Sequence, residues 1–319
     1  MHSLTNFIQL EENFNDNQFF IIDSNVLRLH SEHLDFLIDK KVFVIDDPEA
    51  SKSLKIFEKA TLYFLEQGIK RNSTLIVIGG GATSDLGGFV ASTILRGISW
   101  IVVPTTLLSM IDASIGGKVG INTKQGKNLI GSFHNPIQNY FNLEFLKTQE
   151  KVDYQSGLGE MIKYLFIDSK LEPSDSIDNL ISKCASLKEN IVAKDFKEKG
   201  LREVLNYGHT FGHAIEKMTS LSHGLSVLAG IYLNVSIFSP DLMPFFQDTL
   251  KELKLTIPKL SIDKDQFLTY MSFDKKNIKN AEIRFIVFKN RGDYQNIGID
   301  SKLLKEKLLT FDGHENIFS

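Results

Sequence analysis

Hydrophobic residues in the first half of the chain come in short runs that predict β-strands. Four runs are apolar at nearly every position and rich in β-branched or aromatic residues: 19–23, 41–46, 74–81 and 99–106. Segments of helical length separate them, and residues 54–68 carry an apolar stripe at helical spacing that ends at Gly68. Continuously apolar strands that alternate with helices predict a parallel sheet covered on both faces.

Strand signals become sparse from about residue 148, and long amphipathic stretches follow. These stretches predict helices over residues 157–167, 177–194, 201–218, 225–237 and 244–253. One late run, residues 283–288, predicts a strand of a small hairpin. The pattern therefore predicts an α/β domain over residues 1–150 and a mainly α-helical domain over residues 151–319.

Charge and composition exclude several classes of protein. The formal net charge is −3, and nucleic-acid binding needs a concentrated basic surface, so we expect no nucleic-acid partner. Apolar runs fall far short of the roughly 20 residues of a membrane span, and residues 1–14 are too polar and acidic for a secretory signal. The single cysteine, Cys184, excludes an internal disulfide. We therefore expect a cytoplasmic protein without a membrane partner.

Glycine-rich turns and polar strand ends point to a phosphate-containing ligand. The run GGGATSD follows a predicted strand and opens a helix, a place where backbone N–H groups and the helix dipole favour phosphate. Its spacing departs from the usual dinucleotide fingerprint, and a tight strand-to-helix connection is the alternative. Asp23–Asn25 and Glu49–Lys52 follow two other predicted strands, where open parallel sheets hold ligands and where Asx turns and helix caps also occur.

A second glycine-rich segment, residues 104–131, reads as a poor helix and a poor strand. It contains Asp112, Lys118, Lys127 and Asn128. We predict a long irregular loop whose lysines bind a phosphate or a carboxylate, because long irregular segments in compact domains are usually functional. The alternative is a solvated loop with surface lysines.

The stretch from Arg202 to His223 contains the densest set of polar groups suited to an active site. His209 and His213 are four residues apart and share one face of a predicted helix, so both could contact one metal ion or anion. For any single histidine, a hydrogen-bonded core position is the ordinary alternative.

Taken together, four long motifs resemble the 3-dehydroquinate synthase family. They are GGGATSDLGGFVASTILRG, VPTTLLSMIDASIGGKVGINTKQGKNLIGSFHNP, SGLGEMIKY, and GLREVLNYGHTFGHAIE followed by SHG. The resemblance implies a Rossmann-like N-terminal domain that binds NAD and an α-helical C-terminal domain. It also implies a divalent metal, zinc or cobalt, a small-molecule sugar phosphate substrate in a cleft between the domains, and a homodimer.

The resemblance also implies roles for individual residues. The metal ligands would be Glu160, His209 and His223, so His213 would face the substrate instead. The other substrate-facing residues would be Asp112, Lys118, Asn128, Lys163, Lys188, Arg202, Asn206 and Lys275, with Lys276 as the alternative to Lys275. Arg96 would reach the phosphate site of a neighbouring subunit. The NAD contacts would be Asp23, Asn25, Glu49, Lys52, Gly80, Gly81, Asp85, Thr105, Thr106, Lys127 and Thr148.

The implied activity is the NAD- and metal-dependent conversion of 3-deoxy-arabino-heptulosonate 7-phosphate to 3-dehydroquinate in the shikimate pathway, a carbon–oxygen lyase reaction that releases phosphate. A related sugar phosphate cyclase, a metal-dependent polyol dehydrogenase and a non-catalytic nucleotide-binding relative are the alternatives. One departure concerns Leu225, because the family usually carries glutamate there, after His223 and Gly224. Either metal affinity is weakened in this chain or that glutamate is only structural.

Overall fold

The protein divides into two compact units in a computed structural model that describes residues 1–15, 17–273, 282–310 and 317–318. Unit 1 comprises Met1–Tyr154 and Cys184–Val192, and unit 2 comprises Gln155–Lys183 and Ala193–Ser319. In the described part of the chain, every helix is too short or too polar to span a bilayer.

Unit 1 is built on a fully parallel sheet, as predicted, but the sheet has six strands and the hydrophobic pattern predicted only four of them. The strands are β1 (His2–Leu4), β2 (Gln18–Asp23), β3 (Lys41–Ile45), β4 (Thr74–Gly79), β5 (Ser99–Pro104) and β8 (Gln138–Phe141), and a separate hairpin comprises β6 (Lys118–Thr123) and β7 (Gly126–Phe133). The strand order in the sheet is β1-β8-β5-β4-β2-β3. The helices are α1 (Phe7–Glu12), α2 (Ser24–Leu29), α3 (Pro48–Ser51), α4 (Leu54–Glu66) and α5 (Gly81–Thr93).

Alternate residues of the central strands enter two hydrophobic cores. On β4, Leu75 and Val77 pack into the core that contains α4 and α5, whereas Ile76 and Ile78 pack into the core that contains Leu10 of α1. Successive side chains of a strand point to opposite faces, so a strand that is buried on both faces must be apolar throughout. This requirement explains why β2, β4 and β5 lack polar alternation. Strand β3 lies at the edge of the sheet and is less buried, and its Val44 is 41% exposed.

The predicted helix over residues 54–68 is observed as α4. Gly68 follows it with φ +77°, and the backbone N–H of Ile69 donates to the carbonyl oxygen of Phe64 at 3.0 Å. That bond closes the helix in the way that glycine-terminated helices usually end.

The prediction of an irregular loop over residues 104–131 was wrong, because the hairpin of β6 and β7 occupies its second half. Gly120 lies opposite Gly131 across the two strands. A Cβ atom on Gly131 would lie 2.4 Å from the carbonyl oxygen of Val119. These glycines allow two backbones to approach closely, whereas the sequence reading took them as markers of irregular structure.

Unit 2 is mainly helical and contains the predicted late hairpin. Its helices are α8 (His209–Met218), α9 (His223–Phe238), α10 (Met243–Glu252), α11 (Lys264–Phe273) and α12 (Ser301–Thr310), and its strands are β9 (Glu282–Asn290) and β10 (Asp293–Asp300), which pair antiparallel. Most of α6 (Lys151–Ile167) belongs to this unit. Helix α7 (Ile177–Lys194) contributes residues to both units.

The predicted continuous helix over residues 201–218 is interrupted. A 3₁₀ segment, Leu201–Asn206, is followed by Gly208 at φ +76°, and α8 begins at His209. A Cβ atom on Gly208 would lie 2.5 Å from the side chain of Ile231. The apolar periodicity continues through this break, which explains why the sequence reading missed it.

Backbone contact at glycines brings α6 and α9 close together. A Cβ atom on Gly224 would lie 1.8 Å from the carbonyl oxygen of Ser156, and one on Gly159 would lie 2.4 Å from the carbonyl oxygen of Gly224. The hydroxyl of Ser156 accepts a 3.1 Å hydrogen bond from the N–H of Gly224. Glycine at 159 and 224 therefore sets the separation of the two helices.

We predict that Gly224→Ala destabilises the protein, although alanine favours a helix over glycine. The added methyl group needs a backbone shift, and such overpacking costs about 1–3 kcal/mol of the free energy of unfolding. Urea unfolding of both proteins measures the change. Gly126→Ala is the control, because its added Cβ would meet only the side chain of Leu129, at 3.4 Å. Equal stabilities of Gly224→Ala and the unsubstituted protein would contradict the prediction.

Candidate active site

The polar residues that were predicted to contact NAD in unit 1 lie largely at the carboxyl ends of the parallel strands. Asp23 ends β2, and its Oδ1 accepts a 2.8 Å hydrogen bond from the N–H of Asn25. Burial raises the pKa of Asp23 above its usual value. Gly80 caps α5, and a Cβ atom there would lie 3.2 Å from the side chain of Thr106. The backbone N–H of Thr105 donates to the carbonyl oxygen of Gly79 at 3.0 Å, which joins the ends of β4 and β5.

A buried ion pair joins two more of these residues. The Lys52 Nζ lies 2.7 Å from Oδ2 of Asp85, and Lys52 is only 4% exposed. Burial raises the pKa of Asp85, and the nearby ammonium of Lys52 opposes that shift. The pair fixes an acidic group in the second turn of α5, beside the glycine turn.

Asn122 links three predicted site residues, although the sequence reading did not single it out. Its side-chain amide donates to Oε1 of Glu49 at 2.8 Å, and its Oδ1 accepts from the N–H of Asn128 at 3.0 Å. Its own N–H donates to the carbonyl oxygen of Lys52 at 2.7 Å. The sequence gives no signal that Asn122 links these residues, because its partners lie in separate elements that only the fold brings together.

Predicted cofactor and substrate residues share one cavity in unit 1. The cavity has a volume of about 350 Å³, and Asp85, Lys118 and Asn128 are among its lining residues. Asn128 adopts φ +55°, an uncommon left-handed conformation for a residue other than glycine. Lys127 is exposed on β7.

Lys188 and Asp112 form a second ion pair in this unit. The Lys188 Nζ lies 2.9 Å from Oδ2 of Asp112 and donates to its carbonyl oxygen at 2.7 Å. Asp112 lies in a π-helical turn, Ser109–Ala113, and Lys188 comes from α7. Residues 76 positions apart in the chain are therefore adjacent in the fold.

Two more predicted residues of unit 1, Thr148 and Arg96, make none of these contacts. The Thr148 hydroxyl lies 2.7 Å from Nε2 of His30, whose pKa is lowered by burial. Arg96 is exposed at φ +70°, next to Leu95 at φ +51°. Two consecutive left-handed residues other than glycine store conformational strain, which is typical of functional segments.

Glu160, His209 and His223 lie together in unit 2. Each offers one ligand atom, and these atoms all lie within 4.8 Å of one another. The His209 Nε2 is 3.6 Å from Oε1 of Glu160. Tetrahedral zinc with ligand bonds of about 2.0–2.2 Å separates its ligand atoms by roughly 3.4 Å, so this distance suits a shared ion.

The protonation state of His209 also suits a metal ligand. Burial lowers the pKa of His209 to about 3, and the cation of Lys163 contributes to that shift, whereas Glu160 opposes it. The ring is therefore neutral at physiological pH, the form that binds metals. Its Nδ1 lies 3.1 Å from the carbonyl oxygen of Tyr207 and donates to it, which leaves the lone pair on Nε2.

Lys163 forms an ion pair with Glu160 one turn earlier on α6. Both side chains are almost fully buried, with 2% and 1% of their surface exposed. Removing two charges from water is costly unless they are paired, so each side chain offsets part of the cost of burying the other. Their spacing of three residues was visible in the sequence, but their burial was not.

A cavity of about 420 Å³ in unit 2 contains three of the predicted residues. Asn206, His209 and His213 line it. Residues that the sequence reading did not assign also line it: Lys197, Glu198, Glu203, Thr210, Arg284, Phe285, Ile286 and Asn296. Glu198 could have been found from the sequence, because it lies close to Arg202 and Asn206 along the chain. Arg284 and Asn296 lie far away in the sequence, on β9 and β10, and reach the cavity only in the folded protein.

Arg202 is held in a buried position by its own loop. It is 3% exposed, and its Nη1 donates to the carbonyl oxygen of Phe196 at 2.9 Å. The carboxylate of Asp195 accepts from the N–H groups of Lys199, Gly200 and Arg202 at 2.8, 2.9 and 3.0 Å. Lys275 and Lys276 lie outside the described residues.

Comparison with known proteins identifies the family. The 3-dehydroquinate synthase N-terminal domain matches residues 42–156, and the C-terminal domain matches residues 157–277. The 3-dehydroquinate synthase of Clostridium tetani is 36% identical over 92% of this chain and 84% of that protein. The chain belongs to the 3-dehydroquinate synthase family.

Solved structures extend the comparison to the fold of this family. A 2-deoxy-scyllo-inosose synthase complexed with carbaglucose-6-phosphate, NAD⁺ and Co²⁺ superposes with a TM-score of 0.83 at 22% identity, over 96% of this chain and 95% of the other. A 2-epi-5-epi-valiolone synthase from Streptomyces hygroscopicus with NAD⁺ and Zn²⁺ gives the same TM-score and identity over 97% and 96%. The predicted fold class, a Rossmann-like domain with an α-helical domain, is confirmed.

We predict that Asp195 stabilises the Arg202 loop in a pH-dependent way. The N–H groups of Lys199, Arg202 and Gly200 lower the pKa of Asp195 below 3.8. A lowered carboxyl pKa gives stability that is present above 3.8 and is lost as pH falls through the folded-state pKa. Asp195→Asn should therefore be less stable than the unsubstituted protein at neutral pH, and the difference should shrink in acid.

Urea unfolding of the metal-free proteins, from neutral pH down to acid pH below 3.8, measures this difference in stability. Asp300→Asn is the control, because the Asp300 carboxylate accepts one backbone hydrogen bond, from Lys302, and lies at the end of β10, away from the Arg202 segment in the sequence. A stability difference between Asp195→Asn and the unsubstituted protein that is independent of pH would contradict the assignment.

Proposed function

We propose that this protein is a 3-dehydroquinate synthase, which converts 3-deoxy-arabino-heptulosonate 7-phosphate to 3-dehydroquinate and phosphate in the shikimate pathway. The observation that carries the proposal is the meeting of Glu160, His209 and His223 in a chain of this family. Similarity to named 3-dehydroquinate synthases along 92% of the chain supports the choice of substrate.

Glu160, His209 and His223 would hold a divalent ion, either zinc or cobalt. One carboxylate and two neutral imidazoles are a common catalytic zinc set, and three protein ligands leave a position for substrate oxygen. Two solved structures of this fold contain NAD⁺, one together with Co²⁺ and the other with Zn²⁺. When bound, the ion would polarise a substrate hydroxyl and NAD would take up and return a hydride, so no net redox change results.

The NAD site would be formed by the strand ends of unit 1. Gly80 and Gly81 open α5, where backbone N–H groups favour a diphosphate. The other proposed contacts are Asp23, Asn25, Glu49, Lys52, Asp85, Thr105, Thr106, Lys127 and Thr148. The Lys52–Asp85 pair and the amide of Asn122 keep three of these side chains in place.

Cationic side chains would bind the substrate's carboxylate and phosphate. Lys163 and Arg202 are held by Glu160 and by the loop of Phe196, so their charges are fixed before the substrate arrives. Fixed charges stabilise developing negative charge at little reorganisation cost. Lys118, Asn128, Lys188, Asp112, Asn206, His213 and Lys275 complete the proposed substrate set.

We also propose that the protein is a cytoplasmic homodimer. Strand β7 is exposed along nearly its whole length and presents Leu129, Ile130 and Phe133, which are 62%, 37% and 44% exposed. An unpaired edge strand can pair with another chain, and contiguous exposed apolar residues often mark an interaction site. The strained, exposed segment of Arg96 supports a role for that side chain at the phosphate site of a second subunit.

The proposed activity predicts NAD-dependent phosphate release from 3-deoxy-arabino-heptulosonate 7-phosphate by metal-loaded protein, without net NADH. A coupled phosphate assay and absorbance at the NADH band measure the two products. Absence of turnover by a folded, metal-loaded sample would contradict the proposed function. A Lys163→Met sample is the matched inactive control, because it removes the proposed substrate cation and keeps a side chain of similar length.

The same assay distinguishes the alternative functions. Turnover on a hexose phosphate or another heptulose phosphate would indicate a related cyclase. Net NADH accumulation with a polyol would indicate a dehydrogenase. Metal and NAD binding without turnover on any of these would favour a non-catalytic relative.

Arg96→Ala should be inactive alone and regain activity in mixed dimers with a Lys163→Met subunit. If Arg96 acts across the interface, one of the two sites in such a dimer contains neither substitution. Mixing the two variants after mild dissociation and measuring phosphate release tests this. Failure of rescue in verified heterodimers would indicate that Arg96 acts within its own subunit.

A further inference from the structure

Glu216, on α8, contacts the proposed metal ligand His223, which begins the next helix, α9. Its Oε2 lies 2.9 Å from Nδ1 of His223. Glu216 belongs to the last turns of α8, and His223 is the first residue of α9. The two side chains are 25% and 36% exposed, so the contact is partly shielded from water.

This contact fixes the orientation of the His223 ring. A carboxylate accepts hydrogen bonds, so the Nδ1–H of His223 donates to Glu216 and the lone pair lies on Nε2. His209 has the same arrangement, since its Nδ1 faces the carbonyl oxygen of Tyr207. Both imidazoles therefore offer Nε2 to the cluster.

We propose that Glu216 is a positioning residue for the metal site, an inference that rests on the proposed function. It selects the tautomer of His223 and holds the ring toward Glu160 and His209. A carboxylate on the far ring nitrogen also makes the imidazole a stronger ligand. Glu216 does not itself contact the ion.

The same contact bears on Leu225, which has no hydrogen-bond acceptor in its side chain. Within the His223–Leu225 segment, α9 offers no carboxylate to the histidine. Helix α8 supplies one instead, seven residues before His223. The chain therefore retains a carboxylate partner for the ligand even though residue 225 is leucine.

Metal affinity measured without turnover tests the inference. Apo protein is titrated with Zn²⁺ against a chromogenic chelator, and the absorption bands of Co²⁺-loaded protein report ligand geometry. Glu216→Ala should bind Zn²⁺ about 10- to 100-fold more weakly, and its Co²⁺ bands should shift. Glu216→Gln keeps an acceptor oxygen and should lose less affinity. The Zn²⁺ affinity of His223→Ala shows how much affinity is lost when a ligand itself is removed.

Glu172→Gln is the matched control, because it removes a carboxylate that pairs with Arg291 at 3.1 Å in the same unit. It should leave both metal readouts unchanged. Urea unfolding of the metal-free variants separates positioning from a general loss of stability. If Glu216→Ala does not fold, Glu216→Gln decides: lowered affinity with altered Co²⁺ bands supports the inference.

Zinc affinity of Glu216→Ala, or of Glu216→Gln in its place, within twofold of the unsubstituted protein would overturn the inference. Failure of the unsubstituted protein to bind a divalent ion would overturn it as well. If metal binding depends on Glu216 but the protein releases no phosphate from the proposed substrate, the inference stands and the proposed function fails.

Discussion

The proposed metal site depends on the backbone contact between α6 and α9. No side chain separates the two helices at Gly224, whose Cα faces the carbonyl of Ser156, and Gly159 makes the reciprocal approach. The next residue after Gly159 is Glu160, and the residue before Gly224 is His223. Two ligands from distant parts of the chain thus meet because glycine permits a separation that any other residue would prevent. A similar contact of Gly230 with Gly208 holds α9 against the start of α8, where His209 lies.

Buried lysines are the second constraint, and each of the three among the described residues is paired with a carboxylate. Lys52 with Asp85, Lys188 with Asp112, and Lys163 with Glu160 are ion pairs that each include a lysine at most 7% exposed. Such pairs contribute little net stability compared with apolar residues of the same volume. What they provide is fixed charge at defined points, which suits the binding of an anionic sugar phosphate and a dinucleotide.

The sequence predicted secondary structure correctly where the spacing of apolar residues along the chain reflects which residues are buried. Strands β2 to β5 and helix α4 were predicted to within a few residues. Strands β2, β4 and β5 are buried on both faces and must be apolar nearly throughout, and the edge strand β3 also carries a continuous apolar run. The same reasoning failed at β6 and β7, where Gly120 and Gly131 serve cross-strand approach, and at Gly208, where a helix stops although the apolar periodicity continues. Gly120 and Gly131 were taken as signs of irregular structure, and Gly208 was passed over; in both places contact with a neighbouring element explains the glycine.

The residues near the proposed ligands show the same division. The sequence by itself determined the alternation of the first half, the helical character of the second, and the motifs that place Glu160, His209 and His223 in one family pattern. Only the tertiary structure decided that His213 lines the cavity beside these ligands, that Asn122 joins Glu49 to Asn128, and that Glu216 contacts His223. These are contacts between separate elements, and their partners follow from how the helices and strands pack. Periodicity and spacing record only neighbours along the chain.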